Sequence, residues 1–377
     1  MDRKPMVVLA VTVSQSTGFF KGKISTLIEN GFDVAVIASP GIAYTEGASF
    51  YPISMKREIS LFHDMISLLQ LIRLIRRLNP EIINYGTPKA GLLVGMAAFI
   101  CRVPNRIYTS HGLRLETTKG IKRFILSLTE KISIFCSHKV ICVSNSLKQK
   151  LIDLKLLPQS KGIVIRNGSC KGLDVEPFEI SDVLQTQVSC LKKKIGIESD
   201  EVIGYVGRFT RDKGIYELIN AFNKLKIERP NICLLLCGTF EEGDPIDEDT
   251  KWTIENDPNI YNVGFVEDTL PYYFLMNVLI LPSYREGFGN VILEANAACI
   301  PVIATYVTGC VDAVKDGETG FLVPPRDSNI LAEKVSILLN DPNRAREMGK
   351  LGKKRVLQDF KPKDIFFEYV RIYKEMV

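Results

Sequence analysis

Short apolar runs alternate with amphipathic stretches along almost the whole chain. In the first part the runs are Val7–Val13, Val34–Ala38, Ile82–Tyr85, Arg106–Thr109, Lys139–Val143 and Ile163–Ile165. Between them lie helical patterns, clearest over 61–78, where Leu61, Met65, Leu68, Leu69, Ile72, Ile75 and Leu78 recur with the 3.6-residue period of one helix face. Pro80 ends that pattern, because proline has no N–H to continue a helix. The alternation loosens between Asn167 and Asp200. It restarts with Val202–Val206, followed by Ile232–Cys237, Ile260–Val263, Val278–Leu281, Val302–Ala304 and Gly320–Val323. Strands alternating with helices at this spacing predict right-handed βαβ units and parallel sheets. A chain of 377 residues is long for one core. The expected fold is therefore α/β, with two doubly wound, Rossmann-like parallel-sheet domains facing a cleft. The first is expected over residues 1–170 and the second over 171–360. The helical, aromatic-rich segment 361–377, with Phe366, Phe367, Tyr369 and Tyr373, is expected to cross back onto the first domain.

In doubly wound sheets ligands bind beyond the carboxyl ends of the strands. The polar motifs of this chain fall at such ends: Ser14–Gly18, Ser110-His111-Gly112, Gly207-Arg208, Gly238 and Ser283–Gly289. The most informative is Glu286-Gly-Phe-Gly-Asn-Val-Ile-Leu-Glu294, which follows the strand Val278–Leu281 and opens into a helical pattern. A glycine turn at a helix start offers backbone N–H groups and the positive end of a dipole to a phosphate. Two carboxylates beside phosphate would repel it unless they face hydroxyls, and a nucleotide-sugar has both kinds of group. Off the strand Val202–Val206 comes a second motif, Gly207-Arg208-Phe-Thr-Arg-Asp-Lys213-Gly214. Its guanidinium and ammonium suit a diphosphate, and its glycines permit close backbone approach. The spacing matches neither the dinucleotide fingerprint nor the P-loop.

Together, Gly-Arg-Phe-x-x-x-Lys-Gly at 207–214 and Glu-Gly-Phe-Gly-x-x-x-x-Glu at 286–294 resemble the signature pair of retaining glycosyltransferases of family 4, with the GT-B fold. Pro301–Thr305, Thr308–Asp312 and Asp316–Val323 match in order and spacing, as do Val143–Ser146 and Asn167-Gly168. The resemblance covers essentially the whole chain and is closest to bacterial capsule, O-antigen and glycan-assembly enzymes. It implies that Arg208 and Lys213 hold the donor diphosphate and that Glu286 contacts the donor sugar near its 3-hydroxyl. It also implies that Glu294 takes the ribose hydroxyls, while the backbone of Gly287, Phe288, Gly289, Asn290 and Val291 caps the phosphates. The loop after Gly238 and the segment ending at Val266 would frame the base. His111 falls where the family places a histidine that reaches the donor sugar, as a hydrogen-bond partner and not as the base for the acceptor. The N-terminal loop departs from the Gly-Gly of many relatives: it reads Val13-Ser-Gln-Ser-Thr-Gly18, and Gly18 is the best match for close phosphate approach.

The implied reaction moves a sugar, with retention, from a nucleotide diphosphate donor to a glycan or polyprenyl-linked acceptor in bacterial surface polysaccharide assembly. UDP is the expected carrier. Arg208 and Lys213 would stabilise the departing diphosphate, so neither metal nor cofactor is expected. Asp247-Glu-Asp249 mimics a D-x-D metal motif, yet it stands in an acidic loop and reads as solvated charge. The nine cysteines are scattered without ligand spacing and read as reduced thiols of a cytosolic protein. Two other classes share the architecture. UDP-sugar 2-epimerases need several histidines and carboxylates around the sugar, and here His63 and His138 are poorly placed. A non-catalytic nucleotide-sugar-binding scaffold would not need all four charged donor residues.

The N-terminal stretch Met1–Pro5 runs straight into an apolar strand, so no secretion signal is expected. The longest uncharged apolar stretch, Gly91–Cys101, falls well short of the ~20 residues of a spanning helix. Net charge is unevenly spread: residues 1–170 hold 23 Lys or Arg against 10 Asp or Glu, and the remainder 25 against 33. The basic half reads either as ordinary solvated helix faces or as a surface for an anionic partner. Arg73, Arg76 and Arg77 share one helix, and Lys119, Lys122 and Arg123 stand beside Phe124, Ile125 and Leu128. That pairing favours an anionic membrane surface over nucleic acid, with the protein cytoplasmic and peripheral on the inner face of the membrane.

Overall fold

The computed structural model describes residues 3–56 and 60–377; Met1 and Asp2 of the N-terminal stretch lie outside the described residues. Two compact units emerge, Met1–Gly172 joined by Phe360–Val377, and Leu173–Asp359. In the first, β1 (Met6–Ala10), β2 (Asp33–Ala38), β3 (Ser49–Pro52), β4 (Ile82–Gly86), β5 (Asn105–Ser110), β6 (Lys139–Cys142) and β7 (Gly162–Val164) line up as β3-β2-β1-β4-β5-β6-β7. In the second, β8 (Val202–Val206), β9 (Cys233–Cys237), β10 (Ile260–Asn262), β11 (Val278–Leu281), β12 (Val302–Thr305) and β13 (Gly320–Val323) line up as β10-β9-β8-β11-β12-β13. Both sheets are parallel. Each reverses its strand order beside its first strand, which makes the loops after β1 and β4, and after β8 and β11, the switch points of the two sheets.

Strands buried on both faces read as unbroken apolar runs, and β9 (Cys-Leu-Leu-Leu-Cys) is buried at every position. All the runs expected as strands form strands. β1 stops at Ala10, short of Val13, because the chain turns into a 3₁₀ segment at Ser14–Phe20. β3 is an addition: Ser-Phe-Tyr-Pro at the sheet edge, with no buried residue, gives no apolar run to detect. The loosened stretch conceals a helix, Asp182–Ile195, capped by Ser181 and stopped by Gly196 at φ +82°. It buries only Leu184, so its periodicity is faint.

In the first unit, α1 (Lys23–Glu29) and the C-terminal helix Pro362–Lys374 cover one sheet face, where Ile24 and Leu27 join Ile365, Phe366, Tyr369 and Tyr373 in one core. The return of the chain requires a glycine: Gly172 has φ +65°, and a Cβ there would stand 2.3 Å from the Phe360 carbonyl oxygen. On the other side α3 (Pro88–Ile100) packs between α2 (Leu61–Leu78) and α4 (Gly120–Cys136). The extent of α2 matches expectation but its face does not. Ser67, Leu71, Leu74, Ile75 and Leu78 are buried, whereas Leu61, Met65 and Leu69 are exposed together with Phe62 and Ile66. This helix carries apolar residues on more than one stripe, and hydrophobicity alone does not say which stripe meets the sheet. Among the described residues no helix is long and apolar enough to cross a membrane.

Candidate functional site

In the second unit the loops after β8, β9 and β11 are pressed together by glycines. A Cβ on Gly238 would lie 1.8 Å from the Gly207 carbonyl oxygen. The Gly238 N–H donates to Gly264 O at 2.8 Å, which brings in the turn that leads to Val266. Arg208 follows Gly207; its carbonyl accepts from the Tyr205 hydroxyl at 2.8 Å, and its half-exposed guanidinium pairs with Glu241 of the loop after β9. Lys213 closes the short turn Arg211–Lys213. Gly214 comes next at φ +71°, where a Cβ would stand 2.1 Å from the Pro282 carbonyl oxygen. That approach joins the loop after β8 to the loop after β11. As a result Lys213 Nζ lies 2.5 Å from Glu286 Oε1, both side chains being largely buried, and Ser283 Oγ donates to the same oxygen at 2.8 Å.

Gly289, at φ +80°, is the N-cap of the helix Asn290–Ala297 and supplies no side-chain oxygen to its first turn. The preceding turn is held from outside: a Cβ on Gly309 would come within 2.7 Å of the Gly287 carbonyl. Further along this helix the Tyr273 hydroxyl donates to Glu294 Oε2 at 2.7 Å. Burial, then the Glu294 charge, push the Tyr273 phenol well above its ordinary range, so it stays a donor. Arg208, Lys213, Glu286, Gly287–Val291, Glu294 and Gly238 thus all belong to loops and one helix start at the carboxyl ends of this sheet.

Four residues to which the sequence reading gave no role hold this arrangement. Ser283 and Tyr273 have just been described. Asp212 pairs with Arg285, accepts from Thr210 Oγ1 at 2.7 Å, and takes the Tyr284 N–H on its own carbonyl at 2.8 Å. Burial pushes the Asp212 carboxyl up, but Arg285, the Thr210 hydroxyl, Lys213 and Arg208 outweigh it and hold the group below the usual carboxylate range. Asp212 and Arg285 sit next in sequence to Lys213 and Glu286, and opposite charges flanking two motif residues are a signal that could have found them. Tyr273 has no such signal, since it reaches Glu294 only through space. Asp247 is the N-cap of the helix Glu248–Asn256 and accepts from the Thr250 N–H at 2.8 Å. Among the described residues no group of three or more His, Cys, Asp or Glu is placed to hold a metal.

In the first unit His111 follows the end of β5. Its ring stacks on Phe19 with centroids 4.5 Å apart and planes 16° from parallel. Gly86, at the end of β4, makes room for it: a Cβ there would meet His111 Nε2 at 2.8 Å. Burial, and secondly the Lys23 ammonium, lower the imidazole pKa to about 4, so the ring is neutral at ordinary pH. His63 hydrogen-bonds Ser60 and His138 meets Arg106, which leaves His111 as the histidine at a strand end. Gly18 lies in the 3₁₀ segment beside Phe19, where a Cβ would only touch the Tyr44 ring at 3.9 Å. The backbone does not demand a glycine there.

Two family models match the chain: "Glycosyltransferase Family 4" over residues 24–169, which take in His111, and "Glycosyl transferases group 1" over residues 189–355, which take in Arg208, Lys213, Glu286 and Glu294. The capsular polysaccharide biosynthesis glycosyltransferase CapM of Staphylococcus aureus is 41% identical over 366 residues, 96% of this chain and 95% of that protein. The Escherichia coli UDP-Gal:alpha-D-GlcNAc-diphosphoundecaprenol alpha-1,3-galactosyltransferase is 27% identical over 85% of this chain and 84% of its own length. Among solved structures, HepE of Anabaena in complex with UDP-glucose superposes with a TM-score of 0.80 at 18% identity, covering 98% of this chain and 99% of that one, a likeness of fold.

Asp212 sets a pH-dependent prediction. Folding lowers its carboxyl, so its contribution to stability is complete above the unfolded value of about 4 and is lost as pH falls through the lower folded value. Asp212→Asn leaves Arg285 without its carboxylate and is expected to cost about 2 kcal/mol at pH 7. Urea unfolding across pH should show the gap to wild type closing toward pH 3. A gap that stays constant down to pH 3 would contradict the assigned ionisation.

Proposed function

The chain belongs to the family 4, group 1 glycosyltransferases, and we propose that it transfers a sugar with retention from a UDP-linked donor to a glycan or polyprenyl-linked acceptor in bacterial surface polysaccharide assembly. The observation that carries this reading is the Lys213–Glu286–Ser283 cluster beside the glycine turn that opens the helix Asn290–Ala297: a cation and a helix start for phosphate, and a carboxylate for hydroxyls, within one loop pair. The UDP-glucose complex of the HepE neighbour and the UDP-galactose donor in the name of the Escherichia coli relative support the choice of carrier. In this reading Arg208 and Lys213 neutralise the charge that grows on the β-phosphate as the C1–O bond breaks. Glu286 accepts from a sugar hydroxyl, Glu294 from the ribose, and the N–H groups of Gly287–Val291 face the phosphates. His111, neutral, hydrogen-bonds the sugar. Lys213 and Ser283 both engage Oε1 of Glu286. In this reading the acceptor oxygen attacks C1 from the face the diphosphate leaves, and the acceptor proton passes to the departing phosphate oxygen. Arg208 and Lys213 do this without a metal.

UDP-, GDP- and dTDP-sugars, each offered with and without a lipid-linked acceptor, test the reaction by nucleotide release and product mass. A UDP-sugar is expected to be consumed with acceptor present, in EDTA as well as without it. Arg208→Ala and Lys213→Ala are each expected to lower turnover by ~10²–10³-fold. Wild-type turnover in both variants would overturn the diphosphate assignment, and loss of activity in EDTA restored by Mg²⁺ would overturn the metal-free mechanism.

The same reading gives the first unit a membrane surface. Leu61, Phe62, Met65, Ile66 and Leu69 of α2 and Ile121, Phe124, Ile125 and Leu128 of α4 are exposed. Arg73, Arg76 and Arg77 of α2, and Lys119, Lys122 and Arg123 at the start of α4, are exposed with them. Apolar side chains rimmed by cations suit the interface of an anionic bilayer, at about 1 kcal/mol per basic residue near the surface. The full-length protein is expected to sediment with anionic vesicles at low salt, less so at high salt, and weakly after Phe62→Ser with Phe124→Ser. Equal recovery in the supernatant with anionic and neutral vesicles at low salt would overturn the surface.

A further inference from the structure

One buried cation has no part in the chemistry above. Lys23, the first residue of α1, is 3% exposed. Among the described residues its ammonium makes no hydrogen bond or ion pair. It lies instead 3.5 Å from the centre of the Tyr369 ring, with the Phe20 and Tyr373 rings at 5.7 and 5.9 Å. An ammonium largely shielded from water without an anion is costly, and aromatic faces return only about 2 kcal/mol of that. The aromatic wall is itself fixed: Thr109 Oγ1 donates to Asn84 Oδ1 at 2.7 Å, and Asn84 Nδ2 donates to the Tyr373 hydroxyl at 2.6 Å. Lys23 lines a small cavity together with Asn84, Gly86, Thr109, His111 and Tyr369. The cavity lies at the carboxyl ends of β4 and β5, the edge of the sheet where ligands bind.

We propose that Lys23 is a positioning residue of the His111 half-site: its ammonium, braced on Tyr369 of the C-terminal helix, faces the imidazole across this cavity and governs how the ring presents itself to the sugar. The proposal rests on the reading of His111 as a sugar contact. Burial keeps the imidazole neutral, and because two basic groups lining one cavity oppose each other's charge, the Lys23 ammonium lowers its pKa further. The groups facing Lys23 from the packed elements add no anion. Cys170 is pushed up by burial, as are Tyr369 and Tyr373 of the C-terminal helix. Glu46 spends its carboxylate on the N–H groups of Gly22 and Ser25. Burial lowers Lys23 itself to about 7, against a small opposing pull from Cys170. The C-terminal helix thereby becomes part of the sugar half-site, because its ring holds the charge in place.

The His111 ring titration, followed by NMR and assigned with His111→Gln, tests this directly. Lys23→Met keeps the length and burial of the side chain and removes the charge. In that variant the His111 midpoint is expected to rise, and the acid limb of the kcat/KM profile to rise with it. Tyr369→Phe keeps the ring and should leave the midpoint where it is; Tyr369→Leu removes the ring and should move it. In the wild-type protein the His111 resonances should show a second, remote inflection near pH 7 as Lys23 titrates, a readout that stands even if a variant fails to fold. An unchanged midpoint in folded Lys23→Met, or no second inflection in wild type, overturns the proposal. If His111→Gln turns over like wild type, the sugar-contact reading fails, while the ring titration still decides the role of Lys23.

Discussion

The approach of Gly214 to the Pro282 carbonyl is the constraint on which the candidate site of the second unit depends. Any side chain at Gly214 would collide with that carbonyl, so the loops after β8 and β11 meet only because the position is glycine. Their meeting brings Lys213 onto Glu286 and Ser283. A largely buried ion pair of this kind is a poor source of stability, since desolvating both ions cancels much of their attraction. What it provides is geometry: a cation and a carboxylate held side by side where two strand-end loops meet, the pairing that the proposed reading uses for phosphate and for hydroxyls. The neighbours repeat the pattern, Arg208 with Glu241 and Arg285 with Asp212. Three cations of these loops thus each have a carboxylate.

The first unit handles charge in another way. Its strand-end cavity is walled by aromatic rings, and the cation it holds, Lys23, is matched by ring faces instead of a carboxylate. Such a surrounding keeps His111 neutral and able to give or take a hydrogen bond. The ring closest to Lys23, Tyr369, comes from the C-terminal helix, which returns to this unit past Gly172, and Phe19 and Phe20 come from the 3₁₀ segment. One helix therefore serves the core and sets the electrostatics at the sheet edge.

Much of the fold was legible because parallel strands buried on both faces leave unbroken apolar runs, as Val202–Val206 and Val278–Leu281 do. β3 was not, since an exposed edge strand ending in proline carries no such run. The extent of α2 could be read but not its orientation, because two apolar stripes compete for the sheet. At the site, Lys213, Glu286 and the glycine turn stood out through fixed spacing around conformationally special residues. Tyr273 is brought to Glu294 by the sheet alone, and nothing near it in the chain announces that. Lys23 hides differently: in Lys21-Gly-Lys23 it reads as one more surface lysine, and only the packing of a helix more than three hundred residues later buries it. Asp247 shows the converse, a motif-like acid that caps a helix.

On the proposed reading two side chains in contact divide the labour, Lys213 serving the phosphates and Glu286 the sugar. Titration calorimetry of UDP, and of the UDP-sugar that supports turnover, into Lys213→Met and Glu286→Gln tests it most directly. Lys213→Met should weaken both ligands by a similar factor. Glu286→Gln should weaken the UDP-sugar alone and leave UDP bound as well as before or better, since a nearby negative charge has gone. If Glu286→Gln weakens UDP as much as Lys213→Met does, Glu286 serves only to hold the lysine, and the account of the site is wrong.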